Sequence, residues 1–229
     1  MPRIVHNPEP CSYNEEASAE LLANEDFIMA FEASFRLLGT LFVFSPKTEE
    51  FQSAFAALKA MGGLENWPFG TEEELAEASR LLARAAAEES QKDQVVAYTR
   101  LFRGPGHLYA PPWGSVYMDR DQVMYGWTWV NLRAWMRASG YAGLYEENDP
   151  EDQLGRLLLL ACEIVKTKPE ALCEFLGDHV LCWSGRYLEL LAEHAESPTY
   201  DLLAVLAQAT LADVQQLLGI RCGTRRLYR

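Results

Sequence analysis

Residues 154–165, Leu154-Gly155-Arg156-Leu157-Leu158-Leu159-Leu160-Ala161-Cys162-Glu163-Ile164-Val165, decide the fold class. Leu154, Leu157, Leu158, Ala161 and Val165 recur at i, i+3, i+4, i+7 and i+11, the spacing of a helix that turns one face into a core. Working outward, the same period returns on both sides. Leu21, Phe27, Phe31, Phe35, Leu38 and Phe42 form a stripe that Ser45-Pro46 terminates, because proline disfavours a helical residue before it. Phe51, Phe55 and Leu58 start a short helix closed by Gly62-Gly63. Thr71 with Glu74 reads as a capping box ahead of Leu75, Ala78, Leu81 and Leu82. Further helices are expected from Asp93 to about Arg103, through Trp127–Met136 to near Gly140, and over 169–177, 186–196 and 198–218. No strand series and no internal repeat interrupts them, so the expected class is all-α.

The helical pattern breaks at Gly104-Pro105-Gly106 and resumes after Ala110-Pro111-Pro112-Trp113-Gly114-Ser115. This is the richest Pro/Gly stretch in the chain and reads as a hinge loop near 103–118 between two helical halves. The expected organisation is one globular helical domain over 27–229, preceded by an extension over 1–26 that is partly flexible.

Composition narrows the function. The chain has 229 residues, 49% of them apolar, which is enough to bury a core. Its 33 acids outweigh 20 bases for a formal charge of -13, and the excess is concentrated in residues 1–100. Phosphate recognition needs clustered Lys and Arg, so a nucleic-acid partner is not expected. Cys11, Cys162, Cys173, Cys182 and Cys222 contain no CxxC pair. They read as reduced thiols in a cytoplasm rather than as zinc ligands or structural disulfides. The start, Met1-Pro2-Arg3-Ile4-Val5-His6-Asn7-Pro8, carries no apolar run of the signal-peptide kind. Apolar stretches such as Leu202 to Ala212 fall well short of the roughly 20 residues that span a bilayer. Neither a phosphate-binding loop nor a metal-ligand motif is present, so no enzyme activity and no cofactor are expected.

Two segments carry the binding hypothesis. In the first, Leu101, Phe102, Pro112, Trp113 and Tyr117 supply rings and an extended Pro-Pro backbone that suit an apolar peptide; the competing view is that they only pack the loop onto the helices. The second is Asn148-Asp149-Pro150-Glu151-Asp152-Gln153-Leu154. It reads as a helix start with Asp149 as N-cap, Pro150 at N1, Glu151 at N2 and Asp152 at N3. That role accounts for the three carboxylates. The functional alternative turns Asp152 outward, about 200° from Leu154 in helical phase, to meet a cationic ligand.

These segments, Leu101-Phe102-Arg103-Gly104-Pro105, then Pro111-Pro112-Trp113-Gly114-Ser115-Val116-Tyr117-Met118-Asp119-Arg120, then Asp149-Pro150-Glu151-Asp152, resemble the TorD/DmsD family of redox-enzyme maturation chaperones. Arg36-Leu37-Leu38-Gly39-Thr40-Leu41-Phe42, Asn131–Arg137 and the closing Leu227-Tyr228-Arg229 support the resemblance, which runs from about Phe31 to Arg229. It implies an all-helical, non-catalytic protein. Its partner would be the twin-arginine (Tat) leader of the catalytic subunit of a molybdenum-containing oxidoreductase, with components of the Tat translocase as further partners. It places leader contacts at Arg36, Tyr98, Leu101, Phe102, Pro112, Trp113, Pro150 and Asp152, to which the local reading adds Tyr117 for the groove, Glu151 for charge and Gln153 for hydrogen bonding. Other readings are a factor that inserts cofactor or binds a nucleotide, and a helical adaptor without leader specificity. The chain departs from the family pattern at Gln153, where a histidine is usual, at Gly106 and Tyr98, where tryptophan occurs, and at Val43, where tyrosine occurs.

Overall fold

The computed structural model describes residues 9–104, 106–141 and 150–229. Among them lie α1 (Glu15–Leu22), α2 (Glu25–Val43), α3 (Glu49–Ala60), α4 (Glu72–Glu88), α5 (Gln91–Tyr98), α6 (Gly114–Met118), α7 (Trp127–Ser139), α8 (Leu154–Thr167), α9 (Leu172–Phe175), α10 (Leu181–His194) and α11 (Pro198–Leu217). There is no strand among the described residues, only isolated bridges at Ser12–Arg221 and Trp113–Gln153. The all-α expectation holds.

Starts and stops follow side-chain chemistry. Asn14, Asn24, Thr48, Thr71, Ser90 and Gln153 each accept a hydrogen bond from an amide in the first turn of the helix that follows. The expected Thr71–Glu74 box is present, and Ser90 with Asp93 forms a second. Gly140 ends α7 at φ 85°, in the left-handed region where a side chain is disfavoured.

The core centres on α2 packed against α8. Phe31, Phe35, Leu38, Leu41 and Phe42 of α2 and Leu154, Leu157, Leu158, Ala161 and Val165 of α8 are all buried. A glycine pair sets how closely the two helices approach. A Cβ on Gly155 would lie 2.7 Å from Phe42 Cβ and 2.8 Å from the Gly39 carbonyl oxygen, and one on Gly39 would lie 2.9 Å from the Gly155 oxygen. Packed beside them are α4 against α11 and α10 against α11, with the Trp67 indole donating to Thr210 Oγ1 at 2.9 Å inside the core.

Two expectations are corrected. The stretch 169–196 does not split at Gly177. A 3₁₀ turn (Pro169–Ala171), α9, a π turn (Leu176–Val180) and α10 follow one another without a loop. Gly177 is a contact point, not a break: a Cβ there would meet Cys11 Cβ at 2.5 Å. The second correction concerns 149–153 and belongs to the site below. Of the N-terminal extension, the described part from residue 9 docks on the body. Leu22 joins the core, and Ser12 and Arg221 exchange backbone hydrogen bonds of 3.0 and 2.7 Å. Among the described residues no helix is long and apolar enough to cross a membrane.

Candidate functional site

The two motif segments, some forty residues apart in sequence, lie side by side. The Gly114 amide donates to the Asp152 carbonyl at 3.1 Å, and the Leu154 amide donates to the Pro112 carbonyl at 2.9 Å. Between them Trp113 and Gln153 pair as an antiparallel bridge. Pro112 and Trp113 are therefore held extended by the backbone that leads into α8.

This pairing overturns the expected helix start. Asp149 lies outside the described residues. Pro150, Glu151 and Asp152 are not the first turn of α8, which begins at Leu154 with Gln153 as N-cap; Gln153 Oε1 accepts from the Arg156 amide at 2.9 Å. The physical reason is the bridge: the Asp152 carbonyl and the Leu154 amide are taken by Gly114 and Pro112, so the helical ladder starts only at the Gln153 carbonyl, which accepts from the Leu157 amide at 3.0 Å. Asp152 is not turned outward either. It is 4% exposed, and its Oδ2 accepts from the Ser115 amide at 2.7 Å. It thus caps α6 rather than α8. Burial pushes its carboxyl up to about 6, against the lowering effect of the Ser115 hydrogen bond.

Gln153 is a connector. While Oε1 caps α8, its Nε2 donates to the buried carbonyl of Phe42 at 3.0 Å, joining α8 to the end of α2. A neutral amide serves both bonds at any pH. Beside it opens a crevice lined by Phe42, Val43, Tyr98, Phe102, Trp113 and Arg156, with Arg103 and Pro112 completing the wall. Its free volume is about 20 Å³, room for about one water. Tyr98 donates its hydroxyl to the Val43 carbonyl at 3.2 Å, and its ring lies 5.2 Å from that of Phe102. Phe102 in turn meets Tyr200 edge-on at 5.4 Å. The Trp113 indole nitrogen is buried with no hydrogen-bond partner among the described residues.

Of the residues expected at the site, the structure gathers Tyr98, Phe102, Pro112, Trp113 and Gln153 around one crevice, while Pro150 and Asp152 are buried in the segment that leads to Gln153. Four others stand elsewhere. Leu101 is buried in the π turn Thr99–Arg103. Tyr117, expected in the groove, is fully buried, stacked 5.4 Å from Trp183. Glu151 faces α7: it accepts from the Trp129 indole at 2.6 Å and pairs with Arg133 at 3.3 Å. Arg36 is exposed on α2, paired with Glu32 at 2.9 Å and Glu163 at 3.5 Å. Phe42 and Arg156 were not anticipated as lining residues. Each looked like part of an ordinary helical pattern, and only the crossing of α2 and α8 brings them to the crevice.

Strand-free among the described residues, with Pro112 and Trp113 clamped beside a ring-lined crevice, the chain is of the all-α class. Residues 70–189 match the family model described as nitrate reductase delta subunit. The chain is 37% identical over 200 residues to the Tat proofreading chaperone DmsD of Salmonella typhimurium, covering 87% of this chain and 96% of that one. It is 30% identical over 194 residues to a probable Tat proofreading chaperone DmsD of Haemophilus influenzae, covering 85% and 94%. It is 24% identical over 181 residues to the chaperone protein YcdY of Escherichia coli, covering 77% and 89%. The chain belongs to the TorD/DmsD family of redox-enzyme maturation chaperones.

Proposed function

We propose that this chain is a cytoplasmic, non-catalytic Tat proofreading chaperone. It binds the twin-arginine leader of a molybdenum-containing oxidoreductase and holds the enzyme back from export while it matures. The observation that carries the reading is the backbone pairing of 112–114 with 152–154, which joins both family motifs at one crevice. The likeness to relatives that are themselves Tat proofreading chaperones supports it.

The leader carries two arginines followed by an apolar stretch. Trp113, Phe102, Pro112 and Tyr98 receive the apolar part. A buried apolar side chain contributes roughly 1.5–3 kcal/mol, against about 0–1 kcal/mol for an exposed ion pair. Apolar contact therefore supplies most of the affinity, and charge sets register. As it stands the crevice has room for about one water, so binding requires its side-chain walls to open while the 112–114 backbone stays paired with 152–154. Glu151 rather than Asp152 is the carboxylate for the arginines. Its side chain is 17% exposed, and a leader arginine would replace Arg133 on it, while Asp152 holds the Ser115 amide from behind.

Calorimetric titration with a leader peptide carrying Arg-Arg, beside one carrying Lys-Lys, tests the proposal. Tighter binding of the Arg-Arg peptide is expected. Equal and negligible heat from both peptides would contradict it.

A further inference from the structure

The N-terminal arm and the C-terminal tail meet at an isolated antiparallel bridge, Ser12–Arg221, and a cysteine flanks it on each chain segment. Ser12 and Arg221 exchange both backbone hydrogen bonds, at 3.0 and 2.7 Å. They are therefore a hydrogen-bonded antiparallel pair, and the next pair outward, Cys11 with Cys222, occupies the non-hydrogen-bonded position, where opposed Cα atoms stand about 4.5 Å apart. Beyond it the two segments stay in close approach. A Cβ on Gly223 would lie 2.0 Å from the Glu9 carbonyl oxygen and 3.2 Å from that of Pro10. Side chains alternate as the pairing requires. Ser12 and Arg221 are exposed, whereas Tyr13, Ile220, Cys11 and Cys222 are withdrawn from solvent. Both thiols are free in the structure.

We propose that Cys11 and Cys222 form a dithiol oxidation site, closed by exchange with a small disulfide of the oxidised-glutathione class, that latches the arm to the tail. Disulfides span Cα separations of about 4.4–6.8 Å, a window that contains the separation of a non-hydrogen-bonded pair. The remaining thiols are placed differently. Cys162 is buried in α8. Cys173 is buried in α9. Cys182 in α10 donates to the Asp178 carbonyl at 3.2 Å and lies 3.3 Å from Met118 Sδ.

The reaction balances in two exchanges. The Cys222 thiolate attacks one sulfur of the small disulfide, whose S–S bond breaks and releases one thiol. The Cys11 thiolate then attacks Cys222 Sγ, the Cys11–Cys222 bond forms, and the second small thiol leaves. The two protein thiols lose two protons and two electrons, and the small disulfide takes up both as two thiols. Burial raises Cys222, an effect the Arg225 guanidinium partly offsets, and burial with the Asp178 carboxylate pushes Cys11 up to about 12. Thiolate is scarce at neutral pH, so closure is slow and quickens as pH rises.

The consequence reaches beyond the latch. From Cys222 the tail runs on through Arg225, paired with Asp178 at 2.6 Å, and Tyr228, whose amide donates to the Tyr117 carbonyl at 2.8 Å. It ends with Arg229 on the carbonyls of Leu108 and Tyr109, in the loop that leads into the Pro111–Trp113 segment. The oxidised form fixes the root of that tail and ties together residues more than two hundred positions apart.

The test is to incubate the full chain with oxidised glutathione at pH 7 and 8.5, then map its disulfides by peptide mass and follow its melting. A Cys11–Cys222 cross-linked peptide is expected, forming faster at pH 8.5. The oxidised protein should melt several degrees above the reduced form, as expected for a bridge closing so long a loop. Both effects should vanish in Cys11→Ser and in Cys222→Ser. Circular dichroism checks that these variants fold, with Cys222→Ala as the replacement if serine does not. A linkage between any other two cysteines, glutathione left attached to Cys222, or thiols still free after prolonged incubation at pH 8.5 would overturn the proposal.

Discussion

The Asp152 carboxylate holds the Ser115 amide at 2.7 Å, capping a short helix to which Asp152 does not belong. One buried bond thereby fixes the Trp113 backbone to the entrance of α8. The candidate site rests on this clamp together with the Gly114–Asp152 and Leu154–Pro112 backbone bonds.

Asp152 makes stability depend on pH. Its folded midpoint of about 6 lies above the ordinary 3.8, so between those values the folded chain keeps a proton that the unfolded chain has lost. The stabilising contribution of the protonated form is complete below about pH 4 and lost as pH rises through about 6. At about 1.4 kcal/mol for each pH unit in that interval, ionisation costs roughly 3 kcal/mol. Asp152→Asn keeps an acceptor for Ser115 and removes the charge. Its melting temperature relative to wild type should therefore be more favourable at pH 8 than at pH 4.5; a gap independent of pH would contradict the burial argument.

Gln153→Ala removes a helix cap and leaves the buried Phe42 carbonyl without its donor. A loss of about 1–3 kcal/mol in denaturant unfolding is expected, with no change in its pH dependence.

Much of this was legible in the sequence, for identifiable reasons. The apolar periods of α2 and α8, the Thr71–Glu74 box and the stop at Gly140 are local signals, and each appears where its chemistry placed it. The start of α8 was not legible. Asp-Pro-Glu-Asp satisfies every local rule for a helix N-terminus, yet the competing partner for its backbone lies at Pro112–Gly114, and nothing local reports a long-range bridge. The same limit applies to Tyr117. Its place in an aromatic loop suggested a groove, but Trp183, far along the chain, buries it. Phe102, Pro112 and Trp113 stand out in the aromatic, Pro-rich run and Tyr98 enters through the family resemblance, whereas Phe42 and Arg156 depend on how two helices cross.

That crossing depends on Gly39 and Gly155. Gly155→Ala places a methyl 2.7 Å from Phe42 Cβ and must push α8 from α2. A destabilisation of about 1–3 kcal/mol is expected by chemical denaturation. Leader affinity should fall with it, because Gln153 and Phe42 then separate.

Arg229→Ala should loosen the loop that the Arg229 guanidinium holds at Leu108 and Tyr109. Faster amide hydrogen exchange over residues 107–110, with core helices unchanged, is the expected result.

The central claim is that the crevice beside Trp113 receives the leader, and calorimetric titration of an Arg-Arg leader peptide into wild type and Trp113→Ala tests it most directly. The account expects Trp113→Ala to weaken binding by more than about 1 kcal/mol, at least a several-fold rise in Kd, in a chain whose circular dichroism is unchanged. Unaltered affinity accompanied only by a lower melting temperature would contradict it, and would mean that Trp113 merely packs the loop.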